Sequence, residues 1–192
     1  MVDIGPNSIE PRLNESIMVT VNSVKQCPYC TGLHGELARM AGVEEPSKLN
    51  EASSVEECLE LIDENAIQYA RIFAETDNFA DEEAYATLVE TYGEGRAYSI
   101  KSLCLFLHWG SLGGNTLNHS ISQLLQGNVT TFRVAYVLWY GPLFGVIAGM
   151  NAALPIMPKV PAVASAGVGV VLTVVGGSWL APVGLTGLLF AD

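Results

Sequence analysis

The segment Cys27-Pro28-Tyr29-Cys30-Thr31-Gly32-Leu33-His34 decides the local fold, because its residues suit the start of a helix. Cys27 suits the N-cap, and Pro28 suits the first helical position, where its missing N–H costs nothing. Cys30 and His34 are four residues apart, so they share one helix face and their side chains can meet. The unpaired N–H groups at a helix start favour a thiolate over a thiol. The segment therefore predicts an activated thiol, a neighbouring base and a second thiol.

Apolar residues at helical spacing on both sides of this segment predict an all-α chain, and no stretch has a convincing strand pattern. An apolar stripe predicts a helix from about Glu10 to Val24, which carries Glu15. The helix that begins with the segment should end at Gly42, a residue type favoured just beyond a helix. Residues 43–53 are predicted as a loop or short turn.

Three further helices are predicted before residue 132. One should begin after the N-cap Ser54, with Glu57 completing a capping box, and should end near Thr76. The second is a short helix, Glu82–Tyr92, which Gly93 should end. The third is a long apolar helix from about Arg96 to Leu125, in which three glycines should either interrupt the helix or pack tightly: Gly110, Gly113 and Gly114.

The distribution of charge divides the chain into two predicted domains. The 192 residues carry a net charge of −11, and Asp192 is the one acidic residue after position 131. Residues 1–131 are predicted as an acidic helical domain. An acidic domain argues against nucleic-acid binding, which needs a basic face. Residues 132–192 are predicted as a transmembrane helical hairpin followed by an apolar tail.

The hairpin prediction depends on two uncharged segments, Val134–Leu154 and Val160–Leu180. Each has about 21 residues and would span about 31 Å as a helix, close to the hydrocarbon thickness of a bilayer. The sequence therefore predicts a multi-pass membrane protein, located in an organellar inner membrane, a thylakoid membrane or a bacterial inner membrane. The alternative is a fully buried helical pair inside a large soluble oligomer.

The C-x-x-C pair indicates either redox chemistry or a structural metal site. A zinc site would need a fourth ligand, for which Glu15, His108 or His119 are candidates. The compact spacing without a second cysteine pair favours redox chemistry, so no metal and no cofactor are expected. Cys58 and Cys104 lie on apolar helix faces and are predicted as buried thiols. His108 and His119 should share one helix face, as core or interface histidines.

The front of the chain resembles the AhpD-like alkylhydroperoxidases of the carboxymuconolactone decarboxylase superfamily. The resemblance covers about residues 10–128 and depends on the family signature E-x11-C-x2-C-x3-H, whose positions are occupied here by Glu15, Cys27, Cys30 and His34. It implies an all-α, AhpD-like helical domain. Nothing in the family accounts for residues 132–192, and Tyr29 stands where some family peroxidases carry a histidine.

The resemblance also implies a role for each residue of the signature. Cys30 would be the peroxidatic thiol, which attacks a hydroperoxide and becomes a sulfenic acid. Cys27 would be the resolving thiol, which closes a Cys27–Cys30 disulfide. His34 would take the proton from Cys30, and Glu15 would polarise His34 directly or through a water.

Together these features predict a membrane-anchored thiol peroxidase or disulfide oxidoreductase that reduces hydroperoxides. Its expected partners are the lipid bilayer, a hydroperoxide substrate, a dithiol reductant and further copies of the chain in a homo-oligomer. The alternative is a non-catalytic accessory or structural subunit of a larger membrane complex, respiratory or photosynthetic, that retains the AhpD-like fold.

Overall fold

The fold is all-α throughout the part of the chain that a computed structural model describes, which is residues 8–61, 64–77 and 82–153. These ranges contain no strand, as the sequence predicts, and they contain eight helices: α1 (Pro11–Lys25), α2 (Pro28–Met40), α3 (Pro46–Glu51), α4 (Val55–Leu61), α5 (Asn65–Glu75), α6 (Glu82–Tyr92), α7 (Glu94–Leu125) and α8 (Thr131–Ala153). The second predicted membrane span and the apolar tail lie outside the described residues.

Helix α1 lies at the centre of the packing and contacts α2, α3, α5 and α7. Every residue from Asn14 to Ser23 is buried, so the helix has no solvent-exposed face over this stretch. Such burial all round is typical of a core helix rather than of a surface helix with one apolar stripe. The central position of α1 places its polar side chains, including Glu15, inside the protein.

Two elements differ from the sequence predictions. Residues 43–53 contain a short helix, α3, because Pro46 occupies a first-turn position where proline favours helix formation. The single helix predicted from Ser54 to Thr76 is divided into α4 and α5. Glu64 interrupts it with an extended backbone, and its carboxylate accepts a hydrogen bond of 2.6 Å from the Tyr92 hydroxyl. The break allows α5 to turn and bury its apolar face against α1.

Helix α7 continues without a break through its three glycines. Gly113 and Gly114 instead give α8 a place to pack, because they lack side chains that would separate the two helices. The Tyr136 hydroxyl donates to the carbonyl of Gly113 at 3.3 Å, and the Phe144 ring lies over both glycines. Gly113 and Gly114 therefore pack tightly, which is one of the two predicted outcomes, whereas a Cβ added at Gly110 would meet no atom within 4 Å.

Helix α8 is, among the described residues, the one helix long and apolar enough to cross a membrane. Only 17% of the residues in its 18-residue apolar stretch are buried. Its exposed side carries large apolar side chains such as Leu138, Trp139 and Val146. Its other side contacts α2 and α7. The three helices belong to the same compact unit of the chain, Pro6–Ile156. The boundary at 131/132 and the hairpin stay predictions.

Candidate active site

The Cys27–Cys30 pair occupies the first turn of α2. Cys27 is the N-cap and Pro28 is the first helical residue, as the sequence predicts. The two sulfur atoms lie at disulfide distance, with the Cα atoms 5.3 Å apart. The Cys30 N–H donates a hydrogen bond to the Cys27 Sγ at 3.3 Å. One sulfur of the pair is therefore held against an N–H group of the helix start, which stabilises negative charge.

A polar network from α1 holds Cys27 in this position. The Asn22 side chain accepts a hydrogen bond from the Cys27 N–H at 3.2 Å and donates to the Thr31 Oγ1 at 2.6 Å. The Thr31 hydroxyl in turn donates to the Cys27 carbonyl at 2.9 Å. Asn22 thus ties the end of α1 to the first turn of α2. In the sequence it appears only as a polar residue before a helix break.

Glu15 and His34 meet across the interface between α1 and α2. The Glu15 Oε2 lies 3.1 Å from the His34 Nδ1, and their side chains are only 12% and 13% exposed. Asn14 donates to the other carboxylate oxygen at 3.3 Å. Among the described residues, the hydrogen bonds of His34 include neither sulfur atom. The four residues of the signature are thus gathered at one helix pair, with direct contact between Glu15 and His34.

Helix α7 forms a second wall of the site. The Ser111 hydroxyl donates to the Cys30 Sγ at 3.9 Å and is fully buried. Gly114 faces Cys27 so closely that a Cβ atom there would lie 2.7 Å from the Cys27 Sγ. The two α7 residues are three apart and share one helix face. Each sulfur therefore faces a different α7 residue, a hydroxyl beside Cys30 and a bare backbone beside Cys27.

Helix α8 also packs against this first turn of α2. The Phe144 ring lies 5.0 Å from the Tyr29 ring, and the Asn151 side chain donates to the Tyr29 carbonyl at 2.8 Å. Cys27 is fully buried, whereas Cys30 retains 8% of its exposure. Cys30 is consequently the more accessible sulfur of the pair.

Sequence reasoning missed the contributions of α7 and α8 to this site. The glycines of the long helix indicated a close helix contact but not which element would make it. Ser111 and Phe144 carried no local signal, because a serine and a phenylalanine in apolar helices ordinarily belong to the core.

The remaining thiols and histidines lie in ordinary core or surface positions. Cys58 and Cys104 are buried as predicted, and burial raises the pKa of both thiols. His108 is a core residue, and burial lowers its pKa. His119 is exposed, so the two histidines do not share an environment. Within the described part of the chain, no three His, Cys, Asp or Glu side chains are grouped to hold a metal ion.

Comparisons with protein-family models, with curated proteins and with solved structures find no match to this chain. The AhpD-like family therefore stays a prediction from the residues of the signature. Any function has to be argued from the geometry of the site.

Proposed function

We propose that the chain is a membrane-anchored, AhpD-like dithiol protein that reduces hydroperoxides through Cys30. The observation that carries the proposal is the buried contact between Glu15 and His34 beside two sulfur atoms at disulfide distance. An activated thiol, a histidine oriented by a carboxylate and a second thiol within bonding reach are the parts that such a reaction needs.

The reaction begins when His34 takes the proton of the Cys30 thiol. The Cys30 thiolate attacks the terminal oxygen of the hydroperoxide, the O–O bond breaks, and Cys30 becomes a sulfenic acid. The released alkoxide takes the proton from His34 and leaves as an alcohol. The Cys27 thiol then displaces water from the sulfenic acid and closes the disulfide. A dithiol reductant returns two electrons and two protons through thiol–disulfide exchange.

The position of Glu15 supports a proton-transfer role for His34. A carboxylate that accepts from the Nδ1–H fixes the tautomer of the imidazole and leaves Nε2 available to exchange a proton. Cys30 and His34 are four residues apart on α2, so they lie on one face of the helix. The greater exposure of Cys30 also supports its assignment as the sulfur that meets the peroxide.

Peroxide consumption by the full-length, detergent-solubilised protein tests the proposal. Reduced protein is mixed with cumene hydroperoxide and dithiothreitol, and the loss of peroxide is followed. We expect turnover in the wild type, none in Cys30→Ser, and a sulfenic acid that dimedone traps in Cys27→Ser. Cys58→Ser is the matched control, because Cys58 is a buried thiol outside the site. Turnover that persists in Cys30→Ser contradicts the assignment.

Helix α8 supports the membrane part of the proposal through its length, its composition and its exposed apolar side chains. The full chain should partition with membranes and resist extraction by alkaline carbonate while dissolving in detergent. Release into the soluble fraction by carbonate contradicts an anchoring role.

A non-catalytic subunit of a membrane complex is the second candidate function. The complete burial of Cys27 favours it, because a buried sulfur is shielded from the dithiol reductant that turnover needs. The exposed apolar side of α8 also suits contact with another membrane subunit. This candidate predicts that the protein co-purifies with a large detergent-solubilised complex and that Cys30→Ser has no effect on assembly.

A further inference from the structure

The Ser111 hydroxyl differs from the buried hydroxyls of Ser16 and Thr20 in the partner to which it donates. Ser16 and Thr20 in α1 each donate to the backbone carbonyl four residues earlier, at 2.8 Å. This back-bonding is the usual way in which a helix satisfies an internal hydroxyl. Ser111 instead donates to the Cys30 Sγ, which lies on another helix and 81 positions earlier in the chain.

We infer that Ser111 is a hydrogen-bond donor that stabilises the ionised sulfur of Cys30. The effect of Ser111 on peroxide reduction rests on the proposed function. Its effect on the ionisation of Cys30 does not, because that ionisation is measurable without peroxide turnover. Ser111 is not part of the family signature, so the inference concerns a residue that the resemblance does not assign.

The physical argument begins with what each sulfur contacts. The Cys27 Sγ accepts a hydrogen bond from the Cys30 N–H at the helix start, so a thiolate at Cys27 would have a hydrogen-bond donor. That same N–H is not available to Cys30, and His34 forms no described hydrogen bond to it. The hydroxyl of Ser111 is the donor aimed at Cys30. In a buried site an unpaired thiolate is costly, so one charge-assisted hydrogen bond has a large effect.

The other charged groups around Cys30 do not change when Ser111 is substituted. Glu15 from α1 and His34 from α2 contact each other, and His108 lies one turn before Ser111 on α7. The charged residues of α3, Lys48 and Glu51, are exposed, and α8 carries its charge near its first turn at Arg133. A comparison of variants at position 111 therefore isolates the hydroxyl.

The test measures the ionisation of Cys30 in the full-length, detergent-solubilised protein with Cys27→Ser as the common background. The rate of alkylation by iodoacetamide is followed against pH, and mass spectrometry assigns the label to Cys30. The ultraviolet absorbance of the thiolate gives an independent titration. The variants are Ser111→Ala, Ser111→Thr, which keeps a hydroxyl, and Ser120→Ala, which removes a buried hydroxyl elsewhere on α7.

We expect Ser111→Ala to raise the apparent pKa of Cys30 by about one unit, which is about a tenfold loss of alkylation rate below the pKa. The plateau rate at high pH should stay unchanged, Ser111→Thr should restore the wild-type profile, and Ser120→Ala should have no effect. An unchanged pKa in Ser111→Ala overturns the inference, and so does an equal shift in Ser120→Ala. A higher plateau rate with an unchanged pKa would indicate a packing role and also overturns it.

The outcome is separable from that of the proposed function. A wild type that consumes no peroxide refutes the peroxidase proposal and leaves the titration of Cys30 interpretable. A peroxidase whose Cys30 titrates identically in Ser111→Ala keeps the proposal and refutes the inference.

Discussion

Replacing Gly114 by alanine tests whether α7 packs directly against the cysteine pair. The added Cβ would lie 2.7 Å from the Cys27 Sγ, 3.1 Å from Phe144 and 3.2 Å from Tyr29. Carbon atoms in contact normally lie about 3.5–4.0 Å apart, so all three neighbours must move. Overpacking of this kind costs about 1–3 kcal/mol, whereas exchanging glycine for alanine inside a helix gains about 1 kcal/mol. The net effect should be a destabilisation of up to about 2 kcal/mol.

Thermal unfolding followed by circular dichroism measures this change. A loss of up to about 2 kcal/mol should lower the Tm by up to about 8 °C for a chain of this size. Gly110→Ala is the matched control, because it lies on the same helix and no atom lies within 4 Å of its added Cβ. That variant should be as stable as the wild type or more so. A Gly114→Ala protein that unfolds at or above the Tm of Gly110→Ala refutes the packing argument, because both variants gain the same helix preference.

The redox state should change the size of this effect. Closure of the disulfide fixes the side chain of Cys27, whereas the reduced side chain can rotate away from a new methyl group. Gly114→Ala should therefore lose less stability in the presence of dithiothreitol than in oxidised protein. Equal losses in both states would show that the strain falls on Phe144 or Tyr29 instead.

Two further predictions follow from the burial of the site and of His108. Phe144→Ala should raise the alkylation rate of reduced Cys27 by at least about tenfold, because truncating a buried phenylalanine removes about 3–5 kcal/mol of packing and 1.4 kcal/mol corresponds to a tenfold change. The control is Val146→Ala, an exposed position on the same helix, which should leave the rate unchanged. No increase in Phe144→Ala would contradict the covering role of α8. Burial holds the pKa of His108 below its unfolded value, so stability should fall as the pH decreases through about 6.5. His108→Leu should flatten the Tm between about pH 7 and pH 5, and a slope equal to that of the wild type would show that another group is responsible.

Short-range rules made several parts of this fold predictable. Cys27 and Pro28 begin α2 where N-cap and first-turn preferences place them, and Gly93 ends α6 with a φ of 77° that favours glycine. These preferences act over a few neighbouring residues, so the local sequence contains the necessary information. The juxtaposition of Cys27 with Cys30 has the same origin, since three residues in one helical turn lie close in any context.

The error between α4 and α5 coincides with a long-range contact. The division between α4 and α5 occurs at Glu64, whose carboxylate meets Tyr92, 28 positions later in the chain. The helical pattern continued across that point, so the apolar spacing alone predicted one helix. This hydrogen bond joins distant elements, so the residues next to Glu64 in the sequence do not indicate it.

By itself, the sequence of this protein determined a helix start with two thiols and a histidine one turn later, because backbone geometry fixes those spacings. Only the tertiary structure decided the surroundings of each sulfur. The packing of α7 sets a hydroxyl beside Cys30 and a glycine beside Cys27, and α8 places the Phe144 ring against Tyr29, which stands between the two cysteines in the sequence. These contacts join residues 81 or more positions apart, and they depend on how whole helices pack rather than on the preferences of neighbouring residues.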